Sequence, residues 1–464
     1  MGPLDLRDEL LAIVGEGGVT FAANHQPDDL HDESLHPTTR LPYAVLYPTT
    51  TEQVSRIAVL ASTHGIPVTP RGSGTGLSGG VTPITDGFVV SFARMNKVLR
   101  LDTLDHVAVV QPGITLRELG EQLSATGLRY PVYPGELSGS LGGNVNTNAG
   151  GMRAVRHGVT RHHVLGLEVV LIDGTIVRTG GPVVKSSSGY DLTQLVIGSE
   201  GTLAMVTEVT LKLSATMPHS ATILVPFRTL EEVTRIVPTI VASGLEPSML
   251  EYLDVLTMSA ITNATNLELG VLPSVVEQTA AYLIIVLETR TNHQLADDTA
   301  ALAFLLEGAG ALDVYVLAPT AGTRLIEARE RAFWVGKAAG ANEIIDVVVP
   351  RSSVPAFLSE AALIAQRHDA FISGCGHVGD GNVHLSVFLP DEEKRAALLL
   401  ELFKFGIDIG GQISGEHGIG RDKQSPYLAL TDPNLLALQR RIKHAFDPMQ
   451  LLNPYRLLDE RPLP

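Results

Sequence analysis

The sequence contains a single cysteine, Cys375, among its 464 residues. One thiol can form no intrachain disulfide and cannot by itself hold an iron–sulfur cluster, which points to a reducing compartment. Residues 1–9 lack a basic stretch leading into an apolar core, so they do not read as a secretory signal, and the expected location is the cytoplasm or the periphery of a membrane. Wholly apolar runs such as residues 283–287 fall far short of the ~20 residues a membrane-spanning helix needs. Basic charge is also scarce: 34 Lys and Arg against 50 Asp and Glu give a net charge of −16, which argues against nucleic acid as a partner. No internal repeat or low-complexity tract stands out. The length implies two or three domains, because single cores stop growing near ~250–300 residues.

Glycine is plentiful and concentrated. Residues 72–80 hold five glycines directly after the strand-like stretch 65–69, which suggests a backbone cradle for an anion such as phosphate. No lysine lies between Arg71 and Gly80, which excludes a Walker loop. Gly74, Gly76 and Gly79 match the Rossmann string, but the next residues are turn-rich and enter a strand at 88–92 instead of opening a helix. The identity of the phosphate therefore stays open at this point.

Upstream, a helix is expected to about Val14, a strand at 43–47, and a helix capped by Thr50 or Thr51 and ended by Gly65. Thr115 and Glu118 form a capping box before Leu116, Leu119 and Leu123. Residues 134–151 are rich in glycine and asparagine, lack regular periodicity and read as a long functional loop. A hairpin about Asp173-Gly174 and an alternating strand at 209–213 follow, and composition breaks at 214–219. Strands and helices then alternate from 221 to 388, including one helix over 322–337, and predict an α+β domain with a largely antiparallel sheet. A helix-rich tail runs from 426. The domain limits drawn from this are 1–217, 218–410 and 411–464.

The C-terminal half carries the titratable groups. Asp380-Gly381 signals a two-residue hairpin turn that would set His377 directly opposite His384, their Cβ atoms ~5 Å apart and able to share a divalent metal. Glu416 and His417 sit between glycines and supply a further carboxylate and imidazole. Arg329 and Arg331 fit an exposed helical face, although an arginine also suits bidentate capture of a carboxylate. Read alone, these residues equally suit a metal-dependent hydrolase built on His377, His384 and Glu416, with the glycine loops holding a nucleotide substrate.

Five motifs in order favour a different reading and leave the hydrolase as the alternative: Arg71-Gly72-Ser73-Gly74-Thr75-Gly76; residues 134–151; Gly198-Ser199-Glu200-Gly201-Thr202-Leu203; residues 376–384; and residues 414–420. Together they resemble the FAD-linked D-2-hydroxyacid dehydrogenases of the vanillyl-alcohol-oxidase type fold, a group that includes D-lactate dehydrogenase, D-2-hydroxyglutarate dehydrogenase and the flavin subunit of glycolate oxidase. The resemblance runs from Pro42 to Asn453-Pro454. It implies an α+β architecture of an FAD-binding domain, a substrate-binding cap with an antiparallel sheet, and a C-terminal segment completing the site. It assigns Pro70, Arg71, Gly72, Ser73, Gly74, Thr75, Gly76 and Ser78 to FAD, with Pro134, Gly135, Ser138, Gly142, Asn144, Asn148, Gly150, Glu200, Gly201, Val206 and Asn453. His377, His384 and Glu416 fall on ligands of a divalent metal, commonly zinc; His417 on the general base; Asn382 on a substrate-site amide; and Arg329 on the substrate-carboxylate arginine. The first loop contains no histidine, so non-covalent FAD is expected. Ile344 stands where dicarboxylate-acting relatives carry lysine, which favours D-lactate or glycolate over D-2-hydroxyglutarate and leaves Arg351 as an unplaced cation. The electron acceptor would be a protein or a quinone, and transfer through iron–sulfur centres would require a partner subunit.

Overall fold

The computed structural model describes residues 4–37, 40–84 and 86–459. Helix Thr51–His64 begins where Thr50 accepts the Gln53 N–H and ends at Gly65, whose φ of 66° is left-handed. Its buried face, Val54, Ile57, Ala58 and Ala61, follows helical spacing. That face packs on a four-stranded sheet in which Ala44–Leu46 and Val68–Arg71 both run parallel to Phe88–Ser91. The helix is the crossover that carries the chain from Ala44–Leu46 to Val68–Arg71, the parallel strands on either side of Phe88–Ser91. Val68–Arg71 lies at the sheet edge, and the end of the chain covers it: the Val68 N–H donates to Leu451 O at 2.8 Å and the Asn453 N–H to Val68 O at 2.7 Å.

An antiparallel five-stranded sheet follows, with Met205–Lys212 at its centre. Helix Leu116–Leu123 packs on it through Leu116, Leu119 and Leu123, and the Thr115/Glu118 capping box closes both ways. Across residues 214–219 the chain passes to a third sheet of seven strands, antiparallel at every pairing: Tyr315–Val316, His219–Phe227, Ala281–Thr289, Met249–Asp254, Phe371–Gly376, Asn382–Phe388, Glu343–Val348. Helices Leu230–Ala242, Asn292–Gly308, Val354–Arg367 and Glu392–Asp408 pack on one face of this sheet. Helices Val255–Thr265 and Pro319–Glu330 belong to a separate core cluster on the same sheet. Among the described residues, no helix is long and apolar enough to cross a membrane.

Three sequence expectations change. Residues 134–151 are not one loop, because Leu141–Thr147 is helical: the Ser140 hydroxyl accepts the Gly143 N–H, Leu141 and Val145 are buried one turn apart, and Asn148 closes the helix at φ 52°. Its Gly142-Gly143 pair hid that helix, since glycine is the weakest helix former after proline. The helix expected over 322–337 is divided at Arg331 into Pro319–Glu330 and Ala332–Ala338. The hairpin at Asp380-Gly381 is wider than a two-residue turn. His384 pairs with Cys375, and the N–H groups of Asp380, Gly381 and Asn382 all point at His377 O. The shift is two residues, so His377 and His384 stay on one face as diagonal neighbours.

An ion cluster ties the glycine-loop half to the seven-stranded sheet. Arg129 forms a bidentate pair with Glu288 at 2.8 and 2.5 Å, and the Arg156 guanidinium donates to Glu288 O at 3.1 Å. Burial alone would raise the Glu288 pKa, but Arg129 and Arg153 lower it below the usual carboxylate value. Burial and the same arginines depress His157 from 6.5 to about 4. Between those two values the unfolded chain binds a proton that the native His157 refuses, so stability falls as pH drops from about 6.5 toward 4. Denaturant titrations at pH 7.5 and 5 should show that loss, and His157→Gln should reduce it.

Candidate functional site

The two glycine-rich segments are stitched by reciprocal bonds: the Ser73 N–H donates to Ser140 Oγ at 3.1 Å and the Ser140 N–H to Ser73 Oγ at 2.9 Å. Gly74 has φ +79°, and a Cβ there would lie 2.2 Å from Arg71 Nη2. The buried Arg71 guanidinium donates to His31 O at 2.8 Å and to Asp28 O, and so braces the loop against residues 28–31. The Asn453 amide donates to Gly80 O at 3.1 Å and to Glu200 O at 2.7 Å. Glu200 in turn accepts the N–H groups of Ile419 and Gly420 at 2.7 and 2.6 Å. Each loop is thus anchored by a distant part of the chain.

A cavity of about 500 Å³ separates these loops from the seven-stranded sheet. Its walls include Pro70 to Gly76, Ser78, Pro134, Gly135, Gly142, Asn144, Glu200, Gly201 and Val206, and also Arg329, His377, His384, Glu416 and His417. Five residues named from the sequence lie off its wall. The Ser138 hydroxyl is exposed and donates to Glu136 at 2.7 Å, and Ser140 takes the place by the first loop. Asn148 caps a helix and accepts the Arg161 N–H at 3.0 Å. Gly150 lies behind Glu416, where its Cβ would be 3.3 Å from Oε2, and Asn453 is the clamp just described. The Asn382 amide donates to Asp346 at 2.8 Å and to Val347 O at 3.2 Å, which turns it toward the sheet interior.

The titratable cluster is tightly coupled. His377 Nδ1 lies 2.8 Å from Glu251 and its Nε2 lies 3.1 Å from Glu416. Burial opposes a charged ring, yet the two carboxylates overcome it and hold the His377 pKa well above its usual value. Glu416 shows the mirror image: burial would raise it, and His377 and His384 hold it well below the usual carboxylate value. His384 Nε2 is 3.3 Å from Glu416, and its ring stacks on His417 at 5.1 Å. His417 is depressed to about 4, by burial first, with Lys423 and His384 adding to it against the pull of Asp346. Its ring is therefore uncharged at neutral pH.

Asp346 and Glu251, which the sequence reading passed over, organise this cluster. Asp346 Oδ2 accepts the N–H groups of Gly415, Glu416 and His417 at 3.1, 3.1 and 2.8 Å, and the Ser414 hydroxyl at 2.6 Å. Glu251 lies between His377 and Arg329, whose Nη2 is 3.0 Å from Oε2. That ion pair lacks hydrogen-bond alignment, so Arg329 Nε and Nη2 keep unmet donor capacity in a buried position. The signal for both acids was a carboxylate flanked on both sides by apolar or aromatic residues within a strand, Met249–Asp254 and Glu343–Val348.

Two groups have metal-ligating geometry: His377 with His384 and Glu416, and Asp346 with His384 and His417. The donors of each lie within 4.8 Å of one another. The first fits a divalent cation better, because Glu416 Oε2 is buried without a partner, whereas Asp346 is already saturated by its donors.

Comparison with known proteins decides the class. Residues 42–180 match an FAD binding domain, and residues 216–457 match the C-terminal domain of FAD linked oxidases. The chain belongs to the FAD-linked oxidoreductases. An uncharacterised FAD-linked oxidoreductase of Mycobacterium tuberculosis, Rv2280, is 50% identical over 442 residues, covering 95% of this chain and 96% of the relative. Glycolate oxidase subunit GlcD of Bacillus subtilis is 35% identical over 90% of this chain and 89% of its own length. D-lactate dehydrogenase of Anaerostipes hadrus is 35% identical over 93% and 92%. The solved structure of p-cresol methylhydroxylase superposes with a TM-score of 0.79 at 18% identity over 99% of this chain and 97% of its own, which shows the vanillyl-alcohol-oxidase type fold. In this FAD-linked oxidoreductase the cavity fits the cofactor on its own evidence: Gly76 and Gly80 leave open space, with nothing nearer a Gly76 Cβ than Asp32 at 3.7 Å.

Proposed function

We propose that the protein oxidises a D-2-hydroxy monocarboxylic acid to the 2-oxo acid, with D-lactate and glycolate as reference substrates. The observation that carries this reading is one cavity in which glycine loops face a buried arginine with unmet donors, an uncharged imidazole and a His-His-Glu group. FAD, held non-covalently along residues 70–80 and 134–147, supplies the acceptor for the C2 hydrogen and its two electrons. A divalent cation on His377, His384 and Glu416, zinc by family resemblance, would supply a Lewis acid for the hydroxyl oxygen.

Arg329 binds the substrate carboxylate with donor capacity that its ion pair with Glu251 leaves unmet, which fixes the acid's orientation. His417 takes the hydroxyl proton on its neutral ring, and Asp346, whose carboxylate is 3.9 Å from Nδ1, offsets the charge that forms. Glu251 and Asp346 position these groups without touching substrate. Ile344 lines the cavity and Arg351 is exposed outside it, which supports a monocarboxylate over a dicarboxylate.

The test is an anaerobic screen of flavin bleaching with D- and L-lactate, glycolate and D-2-hydroxyglutarate. D-Lactate should bleach the flavin and L-lactate should not. Equal bleaching by both enantiomers sinks the stereochemical part of the reading, and a purified protein that takes up no FAD sinks the whole. Acid precipitation should release the flavin. Gly76→Val, which meets open space in the protein itself, should lose flavin and melt like the parental apoprotein.

A further inference from the structure

Beyond the histidines the cavity floor is a face of the seven-stranded sheet, and its register fixes the order of the side chains. Cys375, His384 and Asp346 form one row across three strands; Ser373, Ser386 and Ile344 form the next; Phe371 and Phe388 form a third. Each row lies two residues further along the strands, so the aromatic pair is ~13 Å from the histidine row. Leu256 and Ala260 of helix Val255–Thr265, with Trp334 of helix Ala332–Ala338, line the same cavity. The result is a groove leading from the reactive cluster to the surface, where Leu256, Trp334 and Phe371 remain 54%, 42% and 51% exposed.

The groove offers little to a charged group. The Ser373 hydroxyl is taken by Asp254, at 3.0 and 2.9 Å, with Thr257 Oγ1 3.1 Å away. Lys337, 5.4 Å from the Trp334 ring, is paired with Glu33 at 3.0 Å and does not line the cavity. Glycolate or lactate would leave the apolar rows wet, and a second carboxylate would meet no cation there, only the Ser386 hydroxyl beside Ile344 and Phe388.

We propose that this groove holds the substrate's side chain, and that the preferred substrate is a 2-hydroxy acid with a large apolar or aromatic side chain. This refinement rests on the hydroxy-acid reading above. Ile344, Trp334 and Phe388 are its specificity-determining residues. Arg329 and the histidine cluster hold the polar end, and the side chain lies along rows two and three.

The test separates binding from turnover. The FAD-loaded protein is titrated calorimetrically with propionate, 3-phenylpropionate and glutarate, none of which carries an oxidisable 2-hydroxyl. 3-Phenylpropionate should bind at least about tenfold more tightly than either of the others, since a single methylene in an apolar pocket is worth about 10–200-fold. Trp334→Ala, at a half-exposed position, and Phe388→Ser should each cut that preference to about threefold or less. Propionate matching 3-phenylpropionate, glutarate binding best, or a preference unchanged in both variants overturns the proposal. In parallel, D-3-phenyllactate should bleach the flavin with a kcat/KM at least about tenfold above that of D-lactate, and the reverse order overturns the proposal. Discrimination among the three probes with no bleaching by any hydroxy acid keeps the groove and sinks the hydroxy-acid reading.

Discussion

His417→Gln is expected to slow substrate reduction of the flavin by about 10²–10⁴-fold, the usual contribution of a positioned base, while flavin content and melting temperature stay near those of the parent. The His417 side chain makes no hydrogen bond that supports the loops; the loop is held by its backbone N–H on Asp346. Its ring stacks on His384 and stays neutral because burial, Lys423 and His384 outweigh Asp346. Glutamine keeps the polarity and most of the volume but cannot take a proton. Stopped-flow reduction under anaerobic conditions measures the effect directly. A variant that reduces its flavin at the parental rate would show that the proton leaves by another route, and a variant that has lost flavin would show that His417 is structural.

Asp346→Ala is expected to be the most damaging single change in the site. It removes the acceptor of the Glu416 and His417 N–H groups and of the Ser414 hydroxyl, while Gly415 keeps its bond to Asp346 O, and it leaves the buried Lys423 ammonium without the carboxylate 3.6 Å away. Removing one partner of a buried charge pair costs about 3–5 kcal/mol, and each orphaned donor adds about 1–3 kcal/mol where water does not replace the acceptor. Burial would raise the Asp346 pKa, but His417, Lys423 and His384 hold it far below the usual carboxylate value, so its contribution is complete at neutral pH and is lost only in strong acid. Equilibrium denaturation at pH 7 should show the loss. Activity should fall as well, because Glu416 and His417 are positioned through this carboxylate. A loss below about 1 kcal/mol would mean that the loop is held by other contacts.

The sequence made the anchors of the fold visible where local chemistry decides structure. Thr50, Gly65 and the Thr115/Glu118 box act on their own helices, and all three appear as expected. Long-range pairing was harder to read. The Asp380-Gly381 turn looked like a two-residue loop, but the backbone of His377 gathers three N–H groups and widens it, which no short motif encodes. The helix Leu141–Thr147 was hidden by its glycines; a serine cap and two buried apolar residues one turn apart outweigh their poor propensity. In the site, the motif-borne groups His377, His384, Glu416, His417 and Arg329 line one cavity. Glu251 and Asp346 escaped notice because their importance lies in what they face across strands, and Asn382 was given a substrate contact although its amide serves Asp346.

The pairing of Val68 with Leu451 and Asn453 also has a consequence for how the protein is made. The first glycine loop leaves the ribosome early, but the backbone that lines its strand and the amide that ties Gly80 to Glu200 are supplied by residues 451–453, translated long after it. At about 5–20 residues per second the nascent chain waits on the order of 20–80 s between emergence of the loop and of the segment that completes it. Capture of the cofactor therefore waits on synthesis of residues 451–453. Messages cut short before the codon for residue 447 should yield apoprotein, however intact their N-terminal halves.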